Sequence, residues 1–472
     1  MITVKTQFLS FAKDVFLRCD EKYHLIESIC GYNIFDIPKN NQIPLFNILK
    51  EDYILFNYEE DKEYKGIPTG KSYIDEEGDL IGYQSVSVDD HPNRIKYALD
   101  SNHILISSLR LARAPALYFE NLDFKNYVFS NGFYSFKVSA KWNKKYVMYL
   151  LRTKKIKSII DNNIYRGIGI SSYSSIDLLK IPVRNIPISE QNLVLEKINV
   201  IEEKIRFLKN SKISIQETID SVFQREFGFD YDKFDELKSN RHYISQQSLF
   251  SNNPDLRFSA KFHRPAGDFV MEQLKKISDK KIKHFISEPI ILGASISPKD
   301  YDDTGKYNYI SMATIKTCKF DEQSALAVSD NYSADKIAKS VQKNDILIAR
   351  SGEGTIGKVA IIKNEDTRGI FADFIMRIRF DSKRYNPIFA YFYMRSCYFQ
   401  YLIEVYKKGL GNNTNIFPIV IQEFPIPDIS LSEQKRIVDE IQTEIKKQDD
   451  IKLEIASLRN KIDDIIIQTV SA

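Results

Sequence analysis

Apolar residues recur at alternating spacings of four and three along two stretches of the chain. The first runs Val194, Ile198, Ile201, Ile205, Leu208, Ile215, Ile219 and Val222, broken by Lys212. The second runs Ile437, Ile441, Ile451, Ile455, Leu458, Ile462 and Ile465, with Glu444 and Gln448 as polar interruptions. Such spacing puts every apolar side chain on one stripe of a helix, the seam of a coiled coil. Each helix is expected to span about 38 residues, roughly 57 Å at ~1.5 Å per residue. Ser189 and Ser432 stand where an N-cap belongs, and Glu190 and Glu433 fall in the first turn, where the helix dipole favours an acid. Gly228 is a suitable terminator for the first helix. A single apolar stripe has to be covered. An antiparallel pairing of the two helices covers both within one chain; the rival arrangement packs each helix on its own domain.

Elsewhere the pattern is mixed. Ile104 to Ile106, Tyr134 to Val138, Asp345 to Ala349 and Ile375 to Phe380 alternate or are wholly apolar, as strands are, while 144–161 and 388–405 read as helices. These elements recur. Arg18 to His24 resembles Arg257 to His263 at an offset of 239 residues; His103-Ile-Leu-Ile matches Asp345-Ile-Leu-Ile, and Val128-Phe129 matches Ile370-Phe371, both at 242. Ile181-Pro182 through Ser189-Glu190-Gln191 matches Phe424-Pro425 through Ser432-Glu433-Gln434 at 243. A register held over such a length marks an internal duplication. The fold expected is therefore mixed α/β, with two tandem modules, each followed by a long helix, and a pseudo-twofold internal repeat. The boundaries fall at 1–188, 189–228, 229–431 and 432–472.

Composition narrows the chemistry. The 472 residues suit two domains, and 43% hydrophobic with 12% aromatic content supports real cores. With 67 basic and 63 acidic residues the net charge is +4, which is compatible with a polyanionic partner without requiring one. Cys19, Cys30, Cys318 and Cys397 are scattered, and the six histidines form no cluster, so neither a metal site nor a disulfide framework is expected. His24 and His263 occupy equivalent repeat positions, which fits a repeated packing or capping role. No run approaches ~18 apolar residues, and Lys5, Lys13 and Asp14 spoil the N-terminus as a signal peptide; a cytoplasmic chain without a membrane partner is expected.

Catalytic signatures do not stand up. Gly352-Glu-Gly354-Thr-Ile-Gly357 has dinucleotide-turn spacing, but Lys358-Val-Ala-Ile-Ile after it reads as a strand rather than a helix, so the segment is expected to be a hairpin loop. Gly66 to Ser72 is one residue short of a phosphate-binding loop, and Pro68 is awkward within it. No Asn-Pro-Pro-aromatic tetrad and no nuclease acid pair is present. The chain is expected to have no active site and no cofactor of its own.

The paired Pro…Ser-Glu-Gln segments leading into heptad helices resemble those of the specificity subunits of type I restriction-modification enzymes. So does Asp345 to Gly352 through Thr355-Ile-Gly357-Lys358-Val-Ala-Ile-Ile, which is similar to a segment of their target-recognition domains. The resemblance implies that the modules are target-recognition domains, each reading one part of a split site in double-stranded DNA. The helices would set a distance of about 57 Å, suited to half-sites one turn (~34–36 Å) or somewhat more apart. They would also dock two modification subunits, which carry S-adenosylmethionine and methylate adenine. Restriction subunits, using ATP and Mg2+, would join them. A coiled-coil scaffold or adaptor that binds no DNA is the alternative.

Phosphate contacts call for Lys, Arg or exposed amides, and base readout for Arg, Asn, Gln, Ser or Thr on loops that reach a groove. In the second module these requirements select Arg350, Ser351, Thr355 and Lys358 on one loop and Lys407, Lys408, Asn412, Asn413 and Thr414 on another. The first module offers Ser108, Arg110 and Arg113, in Ser107 to Pro115, and Arg166, in Tyr165 to Gly169. Here the halves diverge, as modules reading different bases would.

Overall fold

The computed structural model describes residues 37–75, 78–90, 93–108, 116–160, 173–240, 261–316, 320–409 and 413–471. The chain forms two compact units, one of Met1–Ser211 with Lys452–Ala472 and one of Lys212–Ile451.

The first unit has strands β1 (Gln42–Pro44), β2 (Leu49–Glu51), β3 (Ile54–Leu55), β4 (Tyr64–Ile67), β5 (Gln84–Val86), β6 (Ile95–Ala98), β7 (His103–Ser107), β8 (Tyr127–Ser130), β9 (Phe133–Val138) and β10 (Pro182–Arg184). Its helices are α1 (Lys144–Arg152), α2 (Lys154–Ile159), α3 (Ser175–Leu179) and α4 (Ile188–Asn210). One sheet has the order β2-β9-β7, another β3-β6-β8-β4-β5, and β1 pairs with β10.

The second unit has β11 (Ile291–Leu292), β12 (Tyr307–Ile310), β13 (Leu326–Val328), β14 (Ile346–Ala349), β15 (Val359–Ile361), β16 (Gly369–Phe371) and β17 (Ile375–Ile378). Its helices are α5 (Ile215–Phe227), α6 (Tyr231–Ser239), α7 (Pro265–Ile277), α8 (Asp330–Asp335), α9 (Pro387–Arg395), α10 (Cys397–Tyr406) and α11 (Pro418–Ile421). The sheets run β11-β17-β14-β15 and β13-β12-β16. The wholly apolar run of β14 has a direct cause: Ile346 and Ile348 face one core, and Leu347 faces another on the opposite side of the sheet. All three are 0% exposed, and each such burial is worth ~1.5–3 kcal/mol.

The duplication extends to strand register. Ile67 lies beside Phe129 in the parallel pair β4·β8, and Ile310 beside Phe371 in β12·β16. Tyr64 faces Val86 as Tyr307 faces Val328. Leu45 donates its amide to the Ile181 carbonyl at 3.0 Å, and Ile282 to that of Phe424 at 3.1 Å. The glutamines of the repeated Ser-Glu-Gln segments explain themselves here. Gln191 is 0% exposed; its amide nitrogen donates to the Ile186 carbonyl, and its Oε1 accepts from the Asn143 amide, both at 2.8 Å. Gln434 does the same with Ile429 (2.8 Å) and Asn386 (2.7 Å). Asn143 and Asn386 are the N-caps of α1 and α9, so each glutamine ties the root of a long helix to the start of a domain helix.

The helices pair antiparallel within each unit. In the first, Lys204 meets Glu454 at 2.6 Å, Glu202 pairs with Arg459, and Arg184 donates to the Thr469 carbonyl at 2.9 Å. In the second, Arg225 meets Glu440 at 2.7 Å and Glu226 pairs with Arg436. The rival arrangement is realised as well: Phe223 of α5 packs on Phe389 of α9 with ring centroids 5.7 Å apart, and Ile437 and Ile441 join the same core.

Four sequence expectations need correction. The first long helix is not continuous: α4 ends at Asn210 and α5 starts at Ile215. Ser214 and Glu217 form a capping box that starts a new helix, and the Ile213 amide donates to Gln448 Oε1 of the C-terminal helix at 2.9 Å. The C-terminal helix, Leu431–Ser471, runs unbroken for 41 residues. Ser189 and Ser432 are not the N-caps. Pro187 precedes α4, and Ser430 exchanges hydrogen bonds with Glu433 at the start of the C-terminal helix. The stretches read as single helices over 144–161 and 388–405 are each split, because Thr153 and Ser396 cap the helix that follows. Finally, the seam shifts phase near its end. Ile466 and Val470 are buried at 0% and 1%, while Ile465, Leu458 and Ile451 are only half-buried. Val194, Ile198, Ile201, Ile205, Leu208, Ile219, Val222, Ile437, Ile441, Ile455 and Ile462 are all buried; Ile215 is half-buried. Gly228 ends α5 in the left-handed conformation at φ 65°, as expected.

Candidate nucleic-acid interface

The second unit brings its two candidate loops together. β14 and β15 form an antiparallel hairpin across the glycine segment, so the dinucleotide-turn reading fails as expected. Gly352 and Gly357 sit at φ 87° and 86°, where a side chain would be strained. A Cβ on Gly357 would also come within 2.8 Å of Gln400 Oε1, and Gln400 Nε2 donates to the Gly357 carbonyl at 2.9 Å. Thr355 Oγ1 donates to the Ser351 carbonyl at 2.7 Å, folding the hairpin on itself.

The loop after α10 is stitched to this hairpin by backbone. Ser351 bridges Asn415, the Gly352 amide donates to the Thr414 carbonyl at 3.1 Å, and Ile416 donates to Arg350 at 2.9 Å. Lys408 and Asn415 exchange amide–carbonyl bonds of 2.7 Å, a turn that needs the φ of 105° at Gly409. Side chains complete the seam. Arg350 Nε donates to the Asp373 carbonyl at 2.9 Å and its Nη1 to Asn415 Oδ1 at 3.3 Å. Glu353, at the hairpin tip, accepts from Lys407 Nζ at 3.1 Å and from Thr414 Oγ1 at 3.0 Å.

The candidate residues therefore divide. Lys408 and Asn413 are exposed, and Arg350, Ser351, Thr355 and Lys358 are half-buried. Thr414 is 1% exposed and acts as an internal clasp. The Lys407 side chain is 8% exposed and meets both Glu353 and Glu404, the latter at 2.7 Å. Burial alone would lower the Lys407 ammonium, but the bonds to Glu404 and Glu353 hold it above the usual lysine range. The bonds from Lys407 and Thr414 in turn hold the Glu353 carboxyl below the ordinary glutamate range.

In the first unit, Ser108 takes the place of Arg350. Its amide donates to the Gly132 carbonyl at 2.9 Å, as that of Arg350 does to Phe374 at 2.9 Å. Ser108 Oγ donates to the same Gly132 carbonyl at 2.8 Å. Leu105 pairs with Leu117 where Leu347 pairs with Ala360, so the chain leaves and returns at matching points. Arg110, Arg113, Arg166 and Asn412 lie outside the described residues, as do the repeat segment Arg18 to His24 and the first four residues of its counterpart, Arg257 to His263.

Sequence reasoning missed the acids. Glu353, Glu404 and Asp373 shape this surface as much as its cations do. Glu353 carried a signal, since it stands between two glycines at a hairpin tip, but its partners are 54 and 61 residues away.

Residues 280–457, which include both loops, match the family model of the type I restriction modification DNA specificity domain. No curated protein matches the chain in sequence. Three solved structures are similar over 91% of it. One is a chain from a study of the assembly and conformational transition of a type I R-M system, 12% identical over 97% of that chain, with a TM-score of 0.49. The others are the HsdS subunit from Thermoanaerobacter tengcongensis (13%, 96% of that chain, TM-score 0.34) and the type I S subunit from M. genitalium (12%, 97%, 0.39). Residues 280–457 are thus similar to a type I restriction modification DNA specificity domain, and the first half of the chain repeats the β12·β16 register of that stretch in β4·β8.

Proposed function

We propose that the chain reads a bipartite duplex site, one half per unit, and contributes recognition rather than catalysis to its complex. A single observation carries this reading. The two units share the registers of β4·β8 and β12·β16 and of β4·β5 and β12·β13, but hold unlike segments at one matched exit, Arg350 to Lys358 in one and the segment beginning at Ser108 in the other. Shared scaffold with divergent loops is how one fold is made to select different bases. The backbone-stitched pair of loops offers Lys408, Asn413 and the hairpin tip to phosphates and base edges. The long helices dock two modification subunits, which bind S-adenosylmethionine and methylate adenine. Restriction subunits bring ATP and Mg2+.

Methylome sequencing of cells with and without the gene tests this. A split motif is expected to lose adenine methylation when the gene is removed. Replacing residues 1–185 with those of a differently specific relative is expected to change one half of the motif only. Absence of salt-dependent, sequence-selective DNA binding in the presence of modification subunits would sink the reading.

A further inference from the structure

The glycines of the hairpin are not equivalent. Gly352 and Gly357 are demanded by the fold, through positive φ and, at Gly357, a close neighbour. Gly354 is neither: it lies outside the left-handed region, and a Cβ built on it meets nothing within 4 Å. The fold gains nothing from glycine there, and glycine costs chain entropy. Its remaining use is to let something outside the chain approach the backbone closely.

The residue beside it is an acid, on a surface that would meet a polyanion. Glu353 is half exposed, its side chain retaining 50% of its accessible surface. Its two oxygens are already oriented by Lys407 and Thr414. A carboxylate has about four lone-pair sites, so acceptor capacity remains toward solvent. Lys407 supplies the positive charge that makes an acid tolerable near phosphates. An oriented, neutralised carboxylate is matched to a base edge that donates. In the major groove that edge is the amine of cytosine or adenine, whereas guanine O6/N7 and thymine O4 present acceptors and are repelled.

We propose that Glu353 and Gly354 form the base-reading tip of the second unit, Gly354 admitting the backbone to the groove and Glu353 accepting a hydrogen bond from an exocyclic amine. This rests on the DNA-recognition function of the chain and names a specificity determinant within it.

The test uses the full chain assembled with modification subunits and a duplex library randomised across the site. Wild type is expected to require cytosine or adenine at one position of one half-site. Glu353→Gln, which can donate as well as accept, is expected to relax that position alone by roughly ten- to hundredfold, leaving the rest of the motif intact. Which of the two bases wild type selects there distinguishes a cytosine from an adenine amine. Gly354→Ala is expected to leave thermal stability unchanged and to weaken binding to every sequence. It keeps the proposal testable should Glu353→Gln misfold. If Glu353 only clasps the two loops, Glu353→Gln will lower binding to all sequences alike and Lys407→Met will reproduce it; that result overturns the proposal, as does full binding by Gly354→Ala. A wild-type assembly that selects no sequence overturns the recognition function itself, a distinguishable outcome.

Discussion

The two units fill one strand-end position with different polar groups. His103 and Asp345 occupy the same repeat position, at the start of β7 and immediately before β14. Asp345 is 0% exposed, held by Arg379 through Nε at 2.7 Å and Nη2 at 2.8 Å, and it also accepts from the Gln342 amide at 2.8 Å. The Asp345 bonds push the Arg379 guanidinium above its ordinary range. His103 is 3% exposed, but its carboxylates, Asp100 at 2.8 Å and Asp52 at 3.2 Å, are 47% and 42% exposed. A duplicated fold thus keeps the need for a satisfied polar group at a strand end without keeping the group. The second unit buries its carboxylate against Arg379, and the first leaves its carboxylates partly in water.

That difference sets the largest expected effect. Asp345→Ala orphans a fork of Arg379 donors and is expected to cost the second unit about 3–5 kcal/mol. His103→Ala leaves carboxylates that water can reach and is expected to cost less, about 1–3 kcal/mol. The sole tryptophan, Trp142, reports the first unit by fluorescence, and amide hydrogen exchange reports each unit by peptide. Equal losses would break the comparison.

The glutamines sharpen the likeness instead. Gln191→Leu and Gln434→Leu each strand a buried amide and a carbonyl at equivalent joints, so each is expected to cost about 2–4 kcal/mol, with the two within experimental error of one another. A large loss in one unit alone would show that the joints are not equivalent.

These two glutamines also mark the limit of what was legible in the sequence. The repeat, the seam from Val194 to Val222 and the glycine hairpin could be read because their signals are periodic or local. Gln191 was visible as a matched letter, but its role depends on Asn143, 48 residues away. The clasp from Glu353 to Lys407 and Thr414 was hidden for the same reason: a loop's partners are chosen by the fold, not by its spacing. The break at 211–214 was only half legible. Lys212 flagged it, yet the heptad resumed in phase, and only the capping box shows that the helix starts afresh.

That break sets the third test, since the helix facing it is continuous. Ser214→Ala removes the cap and is expected to cost about 1 kcal/mol, seen as faster exchange at the start of α5. The smallest effect belongs to the exposed cross-helix pairs of the second unit. The Arg436 bond, with a lesser contribution from Arg225, holds the Glu226 carboxyl below the usual glutamate range. A group whose folded pKa is depressed stabilises the fold fully above its unfolded value and loses that contribution as pH falls through the folded one. The contribution of the Glu226 pairs should therefore be intact at neutral pH and fade below about pH 4.5, the ordinary glutamate value. Glu226→Gln is expected to flatten that acid limb while barely changing stability at pH 7, because pairs this open are screened. High salt should erase even that difference. If Glu226→Gln instead destabilised the second unit at pH 7 as much as Ser214→Ala, the helical contact would depend on its charges rather than on its apolar seam.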